Sequence, residues 1–177
     1  NGLYLDQARW NAHLDTVKAE HVVVAAELYS TLAKGHSQNT LFGCVEFNLD
    51  SIPQVCGLLK NLGVPVPKTT QADHLKPLIY DYPVVARLLE YRELQKSLTS
   101  FGDKVLGFVN PHTNRIHAEF KQIGAEKTGR FSCSKPNLQQ QKADGEYRKC
   151  FRAEPGKKLI VADYSQIELR ILANMSD

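Results

Sequence analysis

One stretch near the end of the chain constrains the fold more than any other part of the sequence. Leu159–Ala162 is a short apolar run with β-branched residues, which predicts a buried strand. Asp163 follows where that strand would end, and apolar residues at helical spacing begin after Ser165. Ser165 and Glu168 have the spacing of a capping box, which favours a helix that starts here. The pattern therefore predicts a carboxylate held at a strand end, where a metal ion can meet a phosphate-bearing substrate.

By itself, an aspartate between a strand and a helix is more often a turn or capping residue than a metal ligand. The longer pattern changes this interpretation. Residues 163–170 read Asp-Tyr-Ser-Gln-Ile-Glu-Leu-Arg, and Thr-Gly-Arg-Phe-Ser (128–132) and Pro-Asn-Leu-Gln (136–139) lie upstream. Together these motifs closely resemble the family A DNA polymerases, the group of bacterial DNA polymerase I. The resemblance covers nearly the whole chain.

Composition and charge are those of a globular protein with a local basic segment. The 177 residues are 42% hydrophobic and 23% charged, enough for one domain or one and a half, and the net charge is only +3. Residues 121–158 nevertheless contain ten Lys and Arg against four Asp and Glu. No run of about 18 apolar residues predicts a membrane span, and no signal peptide is visible, so we expect a cytoplasmic protein. The cysteines are far apart and predict reduced, mostly buried thiols; they are Cys44, Cys56, Cys133 and Cys150.

Helical patterns come first along the chain, and strand patterns follow. Apolar residues at intervals of three and four predict three helices, from Asp6 to Gly35, from Ser51 to Gly63 and onward from Pro83, with a loop at 64–75. After a turn at 110–114, the sequence predicts two antiparallel strands, at 116–122 and 129–134, and then a basic loop, 135–158. This order predicts an α+β fold.

The resemblance implies a division of the chain into two parts. Residues 1–108 are similar to the helical thumb subdomain of the family, and residues 109–177 to the first part of its antiparallel-sheet palm, through the motif around Asp163. The resemblance is truncated before the fingers. We therefore expect the fingers and a second catalytic aspartate to come from a remaining polymerase segment, in the same or another chain. We expect the 177-residue piece alone to be inactive.

The activity that the resemblance implies is template-directed DNA synthesis by nucleotidyl transfer, with two Mg²⁺ ions, deoxynucleoside triphosphates and primer-template DNA. Asp163 matches the first metal-binding aspartate of the family, and the backbone carbonyl of Tyr164 would add an oxygen ligand. Glu168 matches the steric gate, which leaves no room for a ribose 2′-hydroxyl, with Ser165 and Gln166 beside the nucleotide. The capping-box interpretation of Glu168 competes with this role.

The resemblance also implies contacts with the duplex. Arg130 matches a residue that reads the minor groove at the primer end, where hydrogen-bond acceptors are common to all base pairs. Asn137 and Gln139 match polar residues near that groove, although a Pro-Asn turn explains Asn137 equally well. Residues of the third helix would follow the DNA backbone; these are Arg92, Lys96, Thr99 and Ser100. From pattern alone, a solvated helix face accounts for their charges.

Two other functions are compatible with the sequence. A non-catalytic module that binds duplex DNA would use the basic surface at 121–158 and would bind without incorporating nucleotides. A generic α+β enzyme with an unrelated phosphate substrate would require the motif at 163–170 to be coincidental. A partner segment with the fingers and a second aspartate would favour the polymerase.

Overall fold

The computed structural model describes residues 2–35, 47–66, 69–125, 128–140 and 145–176. Helices dominate the first half and short antiparallel strands the second, so the predicted α+β class is confirmed. The helices are α1 (Gln7–Ala33), α2 (Ile52–Asn61), α3 (Ala72–Leu75), α4 (Pro83–Phe101), α5 (Asp103–Leu106), α6 (Glu146–Lys149) and α7 (Ile167–Met175). The strands are β1 (Leu3–Tyr4), β2 (Val109–Asn110), β3 (Arg115–Ile116), β4 (Glu119–Ala125) and β5 (Arg130–Ser134).

Helix α1 has the start, the buried face and the end that its sequence predicts. The Asp6 side chain caps it by accepting a hydrogen bond from the backbone N–H of Arg9, at 3.1 Å. Its buried residues recur at helical spacing and are Trp10, Leu14, Val17, Val24, Leu28 and Leu32. His21 lies on the same side and packs on the ring of Tyr91, with ring centroids 5.0 Å apart. This histidine is therefore a packing residue.

A first core cluster joins the second half of α1 to α2 and to the first half of α4. Its most buried members are Leu28, Leu32, Val55, Leu59, Leu75, Val85 and Leu88. On α4, Val85 and Leu88 are fully buried, whereas Val84 is only partly covered. The predicted loop at 64–75 is partly wrong, since α3 occupies its end and a 3₁₀ turn, Lys76–Leu78, follows. Residues 67–68 of that loop lie outside the described residues.

A second core cluster ties the beginning of the chain to residues beyond 108. Its members include Leu5, Trp10, Val17, Phe101, Val105, Ile116, Tyr147 and Cys150. Strand β1 pairs with β3 in a three-stranded antiparallel sheet of order β1-β3-β2, with Leu3 opposite Ile116. The backbone N–H of Asp6 also donates to the carbonyl of Cys150, at 2.9 Å. The base of α1 is therefore fastened to residues 114–151, and the boundary between two subdomains at 108 stays a prediction.

Strands β4 and β5 form a separate antiparallel hairpin, as predicted, with Phe120 opposite Cys133. The single strand predicted at 116–122 is wrong in detail. Ile116 belongs to β3, which pairs with β1 and β2, whereas β4 begins at Glu119 and pairs with β5. The predicted strand is interrupted at 117–118 because the residues before and after this point have different strand partners. Phe120 and Phe131 on the hairpin are each 57% exposed.

The buried strand predicted at 159–163 is not formed. These residues have no strand pairing within the described ranges, and Leu159, Ile160 and Val161 are 54%, 92% and 79% exposed. A strand requires a neighbour to satisfy its backbone N–H and C=O groups. The described part of the chain supplies none here. The apolar side chains of α7 are exposed as well, among them Ile167, Leu169, Ile171, Leu172 and Met175.

No described helix is long and apolar enough to cross a membrane. Cys56, Cys133 and Cys150 are buried thiols, as predicted, and form no disulfide within the described ranges. Cys44 lies outside those ranges.

Candidate active site and nucleic-acid interface

Asp163 lies on an exposed, irregular segment that leads into α7. No group of three or more His, Cys, Asp or Glu side chains within the described ranges is placed to hold a metal ion. The Asp163 carboxylate and the Tyr164 carbonyl are nevertheless hard oxygen donors, the type that Mg²⁺ prefers. Magnesium keeps several waters and is commonly held by one or two carboxylates together with substrate phosphates. The donors present therefore fit part of a magnesium site and leave the rest of its coordination to other groups.

The turn before α7 differs from the predicted capping box. Gln166 is the N-cap, with left-handed backbone angles (φ 52°, ψ 40°), and no side chain caps the helix. Ser165 therefore lies outside the cap position, and its carbonyl accepts a hydrogen bond from Nε of Arg170 at 2.9 Å. Glu168 lies in the first turn, where a carboxylate is favoured by the helix dipole. The capping-box interpretation of Glu168 is wrong, because its carboxylate has another partner.

That partner is Arg130. Nη2 of Arg130 lies 2.5 Å from Oε1 of Glu168, in an ion pair between residues 38 positions apart. Both side chains remain largely open to solvent, 70% and 77% exposed. Exposed ion pairs contribute roughly 0–1 kcal/mol to the stability of the folded protein, so either side chain can exchange this contact for another at little cost in free energy. The contact brings two of the predicted site residues together, one on β5 and one on α7.

The hairpin and the turn after it place Arg130, Asn137 and Gln139. Gly129 has a positive φ of 64° in the tight turn that directs the chain into β5 at Arg130. Gln139 Nε2 donates to the carbonyl of Phe131 at 3.1 Å, which fixes the 3₁₀ turn Leu138–Gln140 to β5. Asn137 Oδ1 accepts from the backbone N–H of Gln139 at 3.0 Å. The turn role of Asn137, one of its two predicted roles, is thus present.

Asn137 also lines a cleft with two of the residues predicted on the third helix. Lys96 and Ser100, near the end of α4, also line this cleft, which has a volume of about 450 Å³. Its apolar lining residues are Phe101, Val105 and Pro136. A lysine, a hydroxyl and an amide around one cleft suit an anionic, hydrogen-bonding ligand such as a phosphate backbone.

Arg92 and Thr99 are placed differently from Lys96. The Arg92 guanidinium donates to the carbonyl of Thr70 and, at 2.6 Å, to its hydroxyl. Thr70 is only 1% exposed, and burial lowers the pKa of Arg92. Arg92 therefore braces α4 against the loop that carries Thr70, a contact that sequence reasoning missed. The Thr99 hydroxyl donates to the carbonyls of Gln95 and Lys96 within its own helix.

Comparison with known proteins decides the family. The family model described as DNA polymerase family A matches residues 21–177. The chain belongs to DNA polymerase family A. Within this family it is similar to DNA polymerase I of Chloroflexus aurantiacus, with 46% identity over 109 residues, 59% of this chain and 12% of that protein. It is also similar to the thermostable DNA polymerase I of Thermus thermophilus, with 41% identity over 143 residues, 73% of this chain and 17% of that protein.

A solved structure extends the similarity to the fold. The POL domain of Pol1 from M. smegmatis, in complex with DNA primer-template and dNTP, superposes with a TM-score of 0.75 and 27% identity. The match covers 99% of this family A chain and 31% of that domain. The chain thus spans less than a fifth of the length of these curated relatives and about a third of the solved domain.

Proposed function

We propose that this chain is the thumb and first palm portion of a DNA-directed DNA polymerase that extends a primer by template-directed nucleotidyl transfer. Family membership supports DNA synthesis as the general activity. The finer proposal depends on the contact between Arg130 and Glu168. It brings the Thr-Gly-Arg hairpin next to the helix that follows Asp163. Phosphoryl transfer requires the primer end and the incoming nucleotide to be held side by side, and these two elements would do so.

In this proposal each site residue has one task. Arg130 donates to minor-groove acceptors at the primer end, and Glu168 occupies the space beside the sugar of the nucleotide, with Ser165 and Gln166 close to it. Asp163 and the Tyr164 carbonyl are the groups that would hold Mg²⁺. When bound, Mg²⁺ neutralises and orients the phosphate oxygens.

Duplex DNA would lie along the end of α4 and the hairpin turn. Lys96 and Ser100 line one cleft together with Asn137 and would contact phosphates there. Gln139 would complete this surface from the 3₁₀ turn. Contacts of this kind position DNA without reading its sequence, and they weaken as salt is added. Thr99 would join them by exchanging its intrahelical hydrogen bond.

A remaining polymerase segment, with the fingers and a second carboxylate, would cover the apolar surface at 159–175. The exposed side chains there include Ile160 at 92% and Val161 at 79%. Contiguous exposed apolar surface marks an interaction site. A strand from that segment would supply the missing hydrogen-bond partners at 159–163 and would fix Asp163 in position. A cytoplasmic location stays a prediction.

The decisive experiment replaces Asp163 by Asn in the polymerase completed by its remaining segment. Single-nucleotide incorporation should fall at least a thousandfold, while duplex binding changes less than twofold, because the charge lost would bind metal rather than DNA. Asp15→Asn, an exposed aspartate on α1, is the matched control and should retain full activity. Incorporation by Asp163→Asn within tenfold of the parent would refute the assignment.

A non-catalytic duplex-binding module is the second candidate. It is favoured by one observation, the excess of ten Lys and Arg over four Asp and Glu in residues 121–158. The same assay separates the two functions. Salt-dependent duplex binding by the 177-residue chain, together with no incorporation when the remaining segment is added, would identify the binding module.

A further inference from the structure

The Arg130 side chain has one partner within the described part of the chain, and that partner is Glu168. Nη2 of Arg130 donates to Oε1 of Glu168 at 2.5 Å. Nε and Nη1 of the same guanidinium have no hydrogen-bond partner among the described residues, and the side chain is 70% exposed. Without Glu168, this long side chain would sample many rotamers. Glu168 is therefore the group that selects one orientation of the guanidinium.

The backbones that carry these two side chains are held by other contacts. On the hairpin, Gln139 Nε2 donates to the carbonyl of Phe131, the residue after Arg130, at 3.1 Å. At the start of α7, Nε of Arg170 donates to the carbonyl of Ser165 at 2.9 Å. Replacing either member of the ion pair removes neither of these hydrogen bonds. The ion pair therefore orders side chains on elements that are already fixed locally.

The ion pair also leaves donors of Arg130 available for DNA. A guanidinium presents its N–H groups in a rigid plane, so a bond at Nη2 also sets the direction of Nε and Nη1. The minor-groove edges of the base pairs carry acceptors in shared positions. A guanidinium that is held at one nitrogen can therefore donate to the primer end from the others. The methylene groups of Glu168 meanwhile stay beside the sugar of the nucleotide.

We propose that Glu168 is a positioning residue for Arg130, whose guanidinium it orients toward the primer end before DNA binds. This inference rests on the proposed function and gives Glu168 a second task besides sugar selection. Ordering the side chain in advance lowers the entropy that is lost when the primer end is bound. The effect should be largest at a mismatched primer end, because fewer other contacts hold the terminal base there.

A double-mutant cycle in the polymerase completed by its remaining segment tests this proposal. Primers with matched and mismatched ends are extended by a correct deoxynucleotide, and the ratio of the matched to the mismatched rate is the mismatch penalty. The variants are Arg130→Ala, Glu168→Ala and the two together. Glu168→Gln keeps an acceptor oxygen at the same reach. Glu119→Ala is the matched control, because Glu119 on the same hairpin forms an exposed ion pair with Lys135 at 3.1 Å.

Glu168→Ala should raise the mismatch penalty at least fivefold in the parent but less than twofold in the Arg130→Ala background, because without Arg130 there is nothing to position. Glu168→Gln should stay within threefold of the parent, since its amide oxygen can accept the same hydrogen bond. Glu119→Ala should stay within twofold. Sugar discrimination on matched primers is measured in parallel and reports the proposed steric role of Glu168 separately.

An equal rise in the parent and in the Arg130→Ala background would overturn the inference, because Glu168 would then act without Arg130. An unchanged mismatch penalty in either single Ala variant would also overturn it. If Glu168→Ala still relaxes sugar discrimination in those cases, the proposed function stands and only the positioning role fails. If the parent incorporates no nucleotide, both fail. Each variant is checked by circular dichroism, and Glu168→Asp, with a shorter reach, replaces Glu168→Ala if the latter does not fold.

Discussion

Replacing Glu168 tests whether this carboxylate selects the sugar of the nucleotide. If Glu168 fills the space beside the 2′-carbon, Glu168→Ala opens room for a hydroxyl. In the completed polymerase, ribonucleotide incorporation relative to deoxyribonucleotide should then rise at least tenfold. This ratio corresponds to about 1.4 kcal/mol of transition-state free energy. Glu168→Gln keeps the volume and removes the charge, so its discrimination should stay within threefold of the parent.

The structure limits what the same substitution can do to stability. The N-cap of α7 is Gln166, so no capping hydrogen bond is lost with Glu168. The contact that is lost is the ion pair with Arg130, between side chains 70% and 77% exposed. Such pairs contribute roughly 0–1 kcal/mol. The ion pair and the favourable position in the first turn of α7 together should cost less than about 2 kcal/mol of unfolding free energy when Glu168 is replaced by Ala.

Single-nucleotide extension with each sugar, on variants shown to be folded at the assay temperature, measures the discrimination. Unchanged discrimination in Glu168→Ala would refute the steric role. If Glu168→Ala and Glu168→Gln lose sugar discrimination to the same extent, the steric role is also refuted, because the charge of Glu168 would then matter more than its volume. In that case the pairing with Arg130, rather than the space under the sugar, would control selection.

Three further predictions follow from the contacts of other residues. Arg130→Ala should slow primer extension, most strongly past a mismatched primer end. If the variant extends both matched and mismatched primers at the same rate as the parent, the minor-groove role is contradicted. Arg92→Ala should lower the free energy of unfolding by about 1–3 kcal/mol in a urea titration, because buried Thr70 loses its partner. Lys96→Ala should instead leave the free energy of unfolding within about 0.5 kcal/mol of the parent, and should reduce the slope of log K against log salt concentration for duplex binding by about 1. Hydrogen bonds from Lys149 and Arg9 lower the pKa of Glu146 from its usual 4.5 to about 2, so the stability that this carboxylate contributes is present above pH 4.5 and is lost as pH falls toward 2. Between pH 6 and pH 3, the melting temperature should therefore fall less for Glu146→Gln than for the parent.

The parts of the fold that depend on local sequence could be predicted. The N-cap at Asp6, the buried face of α1 and the hairpin of β4 with β5 all follow from residues close together in the chain. The strand at 159–163 could not be predicted correctly, because a strand also needs a partner, and its composition does not show whether one is present. The same limit applies to the split between β3 and β4, where the choice of strand partner breaks an otherwise regular alternation.

For the site, the sequence indicated residue identities but not their partners. The motifs suggested roles for both Arg130 and Glu168, yet their contact spans 38 positions and is visible only in the fold. Arg92 looked like its neighbour Lys96 on a charged helix face, and only the packing shows that its guanidinium bonds to buried Thr70.

The pairing of β1 with β3 attaches the N-terminal end of α1 to the sheet, so a change in that pairing would reorient the whole helix. Its 27 residues extend for about 40 Å, since an α-helix rises about 1.5 Å per residue. The near end is held by the bond from Asp6 to Cys150 and by the β1–β3 ladder, while α2 and α4 pack along the far half. A rotation of about 5° at the base would carry the far end through about 3.5 Å, by the same rise per residue. Small adjustments of backbone pairing at 114–116 would thus be amplified into displacements of atomic size at the far end of α1.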